Sequence, residues 1–262
     1  MASRGNVDHL PDDELVQWLE EVAESARSDY PGEPATISYG PAEEQVLDLY
    51  GDPHAATVII CVHGGYFAAM YDRSVNEPIA RALAARPGCS VANIDYRRAG
   101  SVSTPTQTVD DVVSAVGAAR AATTATRVVV IGHSAGGYLA LRLAEVPEVD
   151  LVIALSPAID LVGIHEGRFD DGAVSDWIGC PPEADPSRWL SLVIDPDRWR
   201  AEEVWLVHGD EDSVVPIAHT RAFASAHPGA AQVEEFRGVG HFEFLDPHSR
   251  PSGWVGDLAA TS

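Results

Sequence analysis

Between Asp12 and Asp29 the apolar residues Leu15, Trp18, Leu19, Val22 and Ala26 recur at spacings of three and four, with acidic residues in the first turn. That spacing predicts an amphipathic helix, and the acids suit the positive end of its dipole. Two short runs follow, at 36–39 and 45–50, separated by Gly40-Pro41 and closed by Gly51-Asp52-Pro53. They predict a pair of strands forming an antiparallel edge. Beyond residue 57 the rhythm changes. Runs rich in β-branched residues at 58–62, 90–95, 128–131, 151–155, 204–207 and 232–236, most of them apolar throughout, alternate with helical stretches near 74–85, 108–122, 136–145 and 217–226 and a short one near Trp254. Strands apolar on both faces belong to a sheet covered on both sides, so the expected fold class is α/β: a doubly wound, mostly parallel sheet in one domain spanning 1–262.

One segment breaks the alternation. From 160 to 200 the chain is rich in Asp, Gly and Pro, carries Phe169, Trp177 and Trp189, and shows only weak periodicity. Connections of that length are often binding loops, and the tryptophans need somewhere to bury, so the segment reads as a lid-like insertion over a site.

Charge and composition narrow the functional classes. Forty acidic against seventeen basic residues give a formal charge of −23, a field that repels a phosphate backbone, so nucleic acid is not an expected partner. No lysine occurs among the 262 residues. Schiff-base chemistry and a nucleotide-loop lysine are therefore excluded. Cys61, Cys89 and Cys180 are odd in number and widely spaced, which indicates neither a disulfide framework nor a zinc site. The first thirty residues lack a signal-peptide core, and no apolar stretch is long enough for a membrane span. A soluble, cytoplasmic protein with a small-molecule substrate, no membrane partner, no metal and no cofactor is expected.

The chemistry concentrates in four loops. The run 128–131 enters Gly132-His133-Ser134-Ala135-Gly136-Gly137 and then a helix, the setting in which a serine at a tight strand-to-helix turn projects its hydroxyl above a sheet. The run 58–62 ends in His63-Gly64-Gly65-Tyr66-Phe67, whose backbone amides can approach an oxygen that turns negative. Gly65 and Tyr66, with Ala135 after the serine, are the expected donors, and His63 is read as bracing the loop. A serine needs a base oriented by an acid. Gly240-His241-Phe242 follows the last strand and supplies the base; His208-Gly209-Asp210-Glu211-Asp212 follows the strand before it. Asp212 is the chosen acid, because Asp210 is better placed to hold the turn's own backbone.

These pieces, together with Ile94-Asp95-Tyr96-Arg97 and Val215-Pro216, resemble the α/β-hydrolase superfamily from about residue 35 onward. Within it the His-Gly-Gly-Tyr loop, the Asp-Tyr-Arg strand end and Ser156-Pro157-Ala158-Ile159-Asp160-Leu161 look most like kynurenine formamidases and hormone-sensitive-lipase-like esterases. Two positions depart from the formamidase pattern: Phe67 stands where tryptophan is common, and Arg98-Ala99-Gly100 replaces Leu-Ala-Pro. The resemblance implies a serine hydrolase with Ser134 as nucleophile, His241 as base and Asp212 as acid. The substrate would be a small ester or an aryl formamide, with a general carboxylesterase as the alternative. A pocket is expected from Tyr66, Phe67, Met70, Tyr71, Phe169, Trp177 and Phe242, whose aromatic character suits a flat or apolar substrate. A short-peptide hydrolase would usually bring an extra domain, and a non-catalytic relative typically lacks the histidine.

Overall fold

A computed structural model of the chain describes residues 6–29, 31–99 and 104–261. Gly100, which ends the departing Arg98-Ala99-Gly100 run, lies outside the described residues, as do residues 1–5 of the leading segment. Helix α1 spans Asp12–Asp29, followed by strands β1 (Ala35–Ser38), β2 (Val46–Gly51), β3 (Thr57–Val62) and β4 (Cys89–Ile94). Strands β5 (Arg127–His133), β6 (Leu151–Leu155), β7 (Glu203–Gly209) and β8 (Gln232–Phe236) complete the sheet. Its order is β1-β2-β4-β3-β5-β6-β7-β8. The β1 and β2 strands form the expected antiparallel edge, and every pair from β4 to β8 is parallel. What the periodicity could not show is that β4 sits between β2 and β3.

Helices cover both faces because alternate residues of each central strand point opposite ways. Val58, Ile60 and Val62 of β3 join one core with Val112, Ala115 and Val116 of helix α3 (Pro105–Ala122) and with helix α4 (Ala135–Leu143). Ile59 and Cys61 join the other, against helix α2 (Glu77–Ala84) and a C-terminal helix, Arg250–Ala260. Helix α3 starts three residues earlier than its apolar spacing suggests. Pro105 occupies its first turn, and Thr104 and Gln107 form a reciprocal capping box, so the start is set by capping rather than by a buried stripe.

The insertion is ordered. It folds into helices α5 (Leu161–Gly167), α6 (Ala173–Ile178) and α7 (Pro186–Leu190). Each is too short to display two periods of an apolar stripe. Aspartates start two of them: Asp160 accepts from Gly163 N at 2.9 Å and Asp185 from Arg188 N at 3.1 Å. Trp177 and Trp189 are buried, as their size required. The chain closes with helices α8 (Ile217–Ala226) and α9 (Arg250–Ala260). Among the described residues no helix is long and apolar enough to cross a membrane.

Register decides where chemistry can gather. Val62 pairs with Gly132, His133 with Leu155, Leu155 with Val207 and Gly209 with Phe236, so the parallel strands end level. The loops after β3, β5, β6, β7 and β8 therefore emerge along one edge, where open α/β sheets collect ligands.

Candidate active site

Strand β5 ends at His133 and α4 begins at Ala135, leaving Ser134 alone in the turn. Its backbone stands at φ 58° and ψ −120°. Such a conformation costs an L-residue on the order of 1–3 kcal/mol and persists only where its surroundings over-determine it. Here Ser134 N donates to Leu155 O at 2.9 Å, while Ser134 O accepts from Ala158 N at 3.1 Å and Tyr138 N at 3.2 Å. Gly136 is required by close approach: a Cβ there would lie 2.1 Å from Val62 O and 2.4 Å from His63 O. Helix α4 thus starts directly against the loop that follows β3.

That loop is braced as the sequence suggested. The buried His63 has its two ring nitrogens 2.7 Å from Gly64 O and 3.1 Å from Asp95 Oδ1. Tyr96 stacks on the ring at 4.4 Å and donates its hydroxyl to His63 O at 2.7 Å. Beyond Gly65, Tyr66 and Phe67 both take φ 57°, which folds the chain back over the serine turn. The Ala135 amide is one of those that a helix start leaves without an internal partner, and it sits where the dipole is positive.

Asp212 and His241 form a buried pair, 9% and 2% exposed. His241 Nδ1 donates to Asp212 Oδ2 at 2.8 Å. A carboxylate only accepts, so the ring proton is on Nδ1 and the Nε2 lone pair is available. Asp212 Oδ1 is held by Val214 N at 2.9 Å and Val215 N at 2.8 Å. Asp210 instead accepts from Gly238 N at 2.6 Å, tying its turn to the loop after β8. Burial opposes the Asp212 charge, but the His241 charge and the hydrogen bonds from His208 and His241 outweigh it and hold the carboxyl below its ordinary range. Burial likewise opposes the imidazolium, yet Asp212, followed by Asp8 and Glu243, holds His241 above its ordinary value.

Three contacts that bind this arrangement were not singled out from sequence. His133 Nε2 donates to His241 O at 2.9 Å and its ring lies 4.6 Å from the His241 ring, so the residue before Ser134 anchors the loop carrying His241. Burial and the neighbouring His241 push His133 down to about 3, which keeps it neutral. His208 lies with Nε2 3.2 Å from Asp212 Oδ2 and 2.9 Å from Val215 O, bracing the acid turn. Asp8 receives His241 N at 2.7 Å. His133 and Asp8 act across 108 and 233 residues, where no local pattern can mark them, whereas His208 acts within its own turn, four residues from Asp212.

The cavity at Ser134 is small, about 10 Å³, roughly the space of one water. Tyr66 and Phe67 wall it from the first loop, Ala158 from the segment after β6, Ile164, Phe169 and Val174 from the insertion, and Val214 and Val215 from the turn that carries Asp212. The other aromatics suggested as pocket residues stand elsewhere. Trp177 lies behind Phe67, stacked at 3.9 Å, with Nε1 donating to Thr108 Oγ1 at 3.0 Å. Phe242 packs toward Leu10, Leu15 and Trp18 at the start of the chain. Met70 is 81% exposed and Tyr71 36%, on the surface next to the loop. Arg73 and Arg97 are engaged by Asp48 at 2.6 Å and by Asp111 at 2.6 Å. A wider groove of about 330 Å³ lies between α2 and α9 and does not contain Ser134, so size alone does not mark the site.

A family model for the alpha/beta hydrolase fold matches residues 59–220, more than half of the chain. The chain belongs to the α/β-hydrolase fold family. The matched stretch includes the first loop, Ser134 and Asp212, and stops before His241. A search of curated proteins finds no match. Solved structures agree on the fold. A provisional thioesterase from Silicibacter sp. TM1040 superposes with a TM-score of 0.74 at 22% identity, covering 94% of each chain. Esterase B from Lactobacillus rhamnosis gives 0.68 at 16% identity over 94% of this chain and 95% of that one. A thermostable esterase from Pseudomonas putida ECU1011 gives 0.66 at 18% over 99% and 91%.

Proposed function

We propose that this α/β hydrolase is a serine hydrolase that cleaves a small ester or aryl formamide through an acyl-enzyme. The observation that carries the reading is Ser134 in its strained turn, tied through His133 to the loop of a His241 that is itself hydrogen-bonded to a buried Asp212. Ser134 Oγ attacks the carbonyl carbon as His241 Nε2 takes its proton. The oxygen, now negative, faces the amides of Gly65, Tyr66 and Ala135 as an oxyanion hole. His241 then protonates the departing alcohol or amine as its bond to the acyl carbon breaks. Water, giving a proton to His241, attacks the acyl-enzyme, and His241 returns that proton to Ser134 Oγ as the bond to the acyl carbon breaks and the acid product leaves. Asp212 holds the imidazole in the tautomer that this sequence of transfers needs.

Room for about one water over Ser134 favours a short acyl group, formyl or acetyl. Two of the similar structures are described as esterases, which supports a short-chain carboxylesterase as the second reading. The apolar walls suit an uncharged reacting group, consistent with a small-molecule partner in the cytoplasm, where the free Cys61, Cys89 and Cys180 stay reduced.

The test has two arms. A fluorophosphonate should label Ser134 with one adduct per folded chain, and an unlabelled, folded chain would remove the mechanism. Comparing kcat/KM on N-formylkynurenine with that on p-nitrophenyl acetate and hexanoate then separates the readings. A formamide rate at background leaves the esterase, and hexanoate turned over as well as acetate would contradict the small acyl site.

The acid limb has a definite sign. Since His241 must be neutral to take the serine proton and its charged form is favoured by Asp212, kcat/KM should fall as pH drops through a midpoint above the about 6.5 of free imidazole. A steady-state profile from pH 5 to 9 measures it; a midpoint below about 6 would mean that the carboxylate does not govern the base.

A further inference from the structure

We propose that Asp8 is a positioning residue for His241: the segment 6–8 straps the acid turn to the histidine loop, and the Asp8 carboxylate holds the His241 backbone where its ring spans Asp212 and Ser134. The inference rests on the serine-hydrolase reading for its catalytic consequence, though the strap itself does not. One carboxylate gathers donors from two loops. His241 N lies 2.7 Å from Asp8 Oδ1 and 2.8 Å from Oδ2, and Phe242 N lies 3.4 Å from Oδ1. From the acid turn, Ser213 N reaches Oδ2 at 3.1 Å and Ser213 Oγ at 3.5 Å. An ionised carboxylate has about four acceptor sites, and these charge-assisted bonds occupy them from both sides.

Neighbouring residues repeat the pattern. Asn6 Nδ2 donates to Glu211 O at 3.0 Å, while Asn6 Oδ1 accepts from Asp8 N at 2.9 Å and sets the turn. Val7 N donates to Glu243 Oε1 at 3.1 Å, and Gly240 N donates to Oε2 of the same side chain at 3.0 Å. The Val7 side chain is buried with Trp18 and Val22 of α1, with Phe242 against them, so an apolar anchor sits behind the polar ties. Residue 240 has to be glycine for the strap to approach: a Cβ there would meet Asn6 Oδ1 at 2.4 Å and Asp8 Cγ at 2.6 Å. The segment is tied to the two loops that carry the acid and the base.

Charge adds a readout that packing alone would not move. The groups facing His241 are Asp212, Asp8 and Glu243, with the neutral His133 ring beside it. Glu243 is itself pushed up to about 6, by burial first and with a contribution from the Asp8 charge. Taking away the Asp8 charge removes one group that favours the imidazolium, so the acid limb should move to lower pH.

The experiment compares Asp8→Asn and Asp8→Ala with the parent in the full chain, with turnover expressed per fluorophosphonate-titrated site. Misplacing a reacting group by an ångström can cost about a hundredfold, so kcat should fall by about tenfold to a hundredfold with KM little changed, and the acid limb should shift downward. Hydrogen exchange should show lost protection at the amides of 213, 241 and 242 in the alanine variant. Wild-type kcat per site with an unmoved acid limb overturns the proposal. A loss of kcat that follows thermal stability alone, with the limb unmoved, overturns it too. Should the alanine variant not fold, Asp8→Asn, which keeps one acceptor oxygen, is read in its place. Lost protection in the alanine variant, with a parent that no fluorophosphonate labels, would keep the strap and sink the hydrolase reading, so the two failures are distinguishable.

Discussion

Replacing Ser134 with alanine should lower kcat by about four to six orders of magnitude, with substrate binding little changed, because it removes the hydroxyl that the proposed mechanism makes the nucleophile. His241→Ala should cost nearly as much. The decisive measurement is the double variant, since nucleophile and base act as one unit and the second substitution should add almost nothing to the first. Independent losses that multiply would mean that His241 does not serve Ser134. The alanine at 134 also tests the strain in the turn. Its backbone must keep φ near 58° without any catalytic need for it, so the alanine protein should retain the fold because Leu155 O, Ala158 N and Tyr138 N still hold the peptide groups on either side.

Asp212→Asn should lower kcat by about four orders of magnitude while leaving the fold in place. The amide is nearly isosteric, and its oxygen can keep the Val214 and Val215 amides that Oδ1 now accepts. Its NH₂ then occupies the Oδ2 position and faces His241 Nδ1, so the ring flips to the tautomer protonated on Nε2 and can no longer take the serine proton. In the parent, the Asp212 charge is stabilised in the folded state, so the stability it contributes is present above the ordinary carboxylate range and is lost as pH falls through the folded value. The asparagine variant should lack that contribution near neutrality and lose less on acidification. Thermal unfolding at pH 7, at pH 5 and at about pH 2.5, below the ordinary carboxylate value of about 3.9, measures both; an equal loss between pH 5 and 2.5 in parent and variant would show that Asp212 is not held ionised in the folded state.

The central strands β3 to β7 were legible because burial on both faces leaves runs rich in apolar, β-branched residues, while the edge strands β1, β2 and β8 were marked by short runs between turn residues; all eight fall within two residues or so of where those runs stand. The Ser134 turn was legible for a similar local reason: small residues at 132, 136 and 137 are demanded by contacts within one supersecondary unit. The insertion was harder to read. Its helices are five to seven residues long, two of them begin at capping aspartates and two bury a tryptophan, and none is long enough to show a stripe, so a periodicity test sees only irregular chain. Pocket residues were harder still. Phe67 and Trp177 look alike in sequence, but one faces the cavity and the other supports it from behind.

Local spacing and turn chemistry were enough to specify a parallel sheet wrapped in helices and a serine on a sharp turn, since both depend on interactions among residues close in the chain. The strand order, with β4 beside β2, and the meeting of residues 8, 133, 208 and 212 around His241 were decided by tertiary structure. The pairings of Asp8 with His241 and of His133 with His241 O cross 233 and 108 residues. No propensity or period reaches that far; the level ends of neighbouring parallel strands bring the loops together, and burial then selects the partners that leave no charge or hydrogen-bonding group alone.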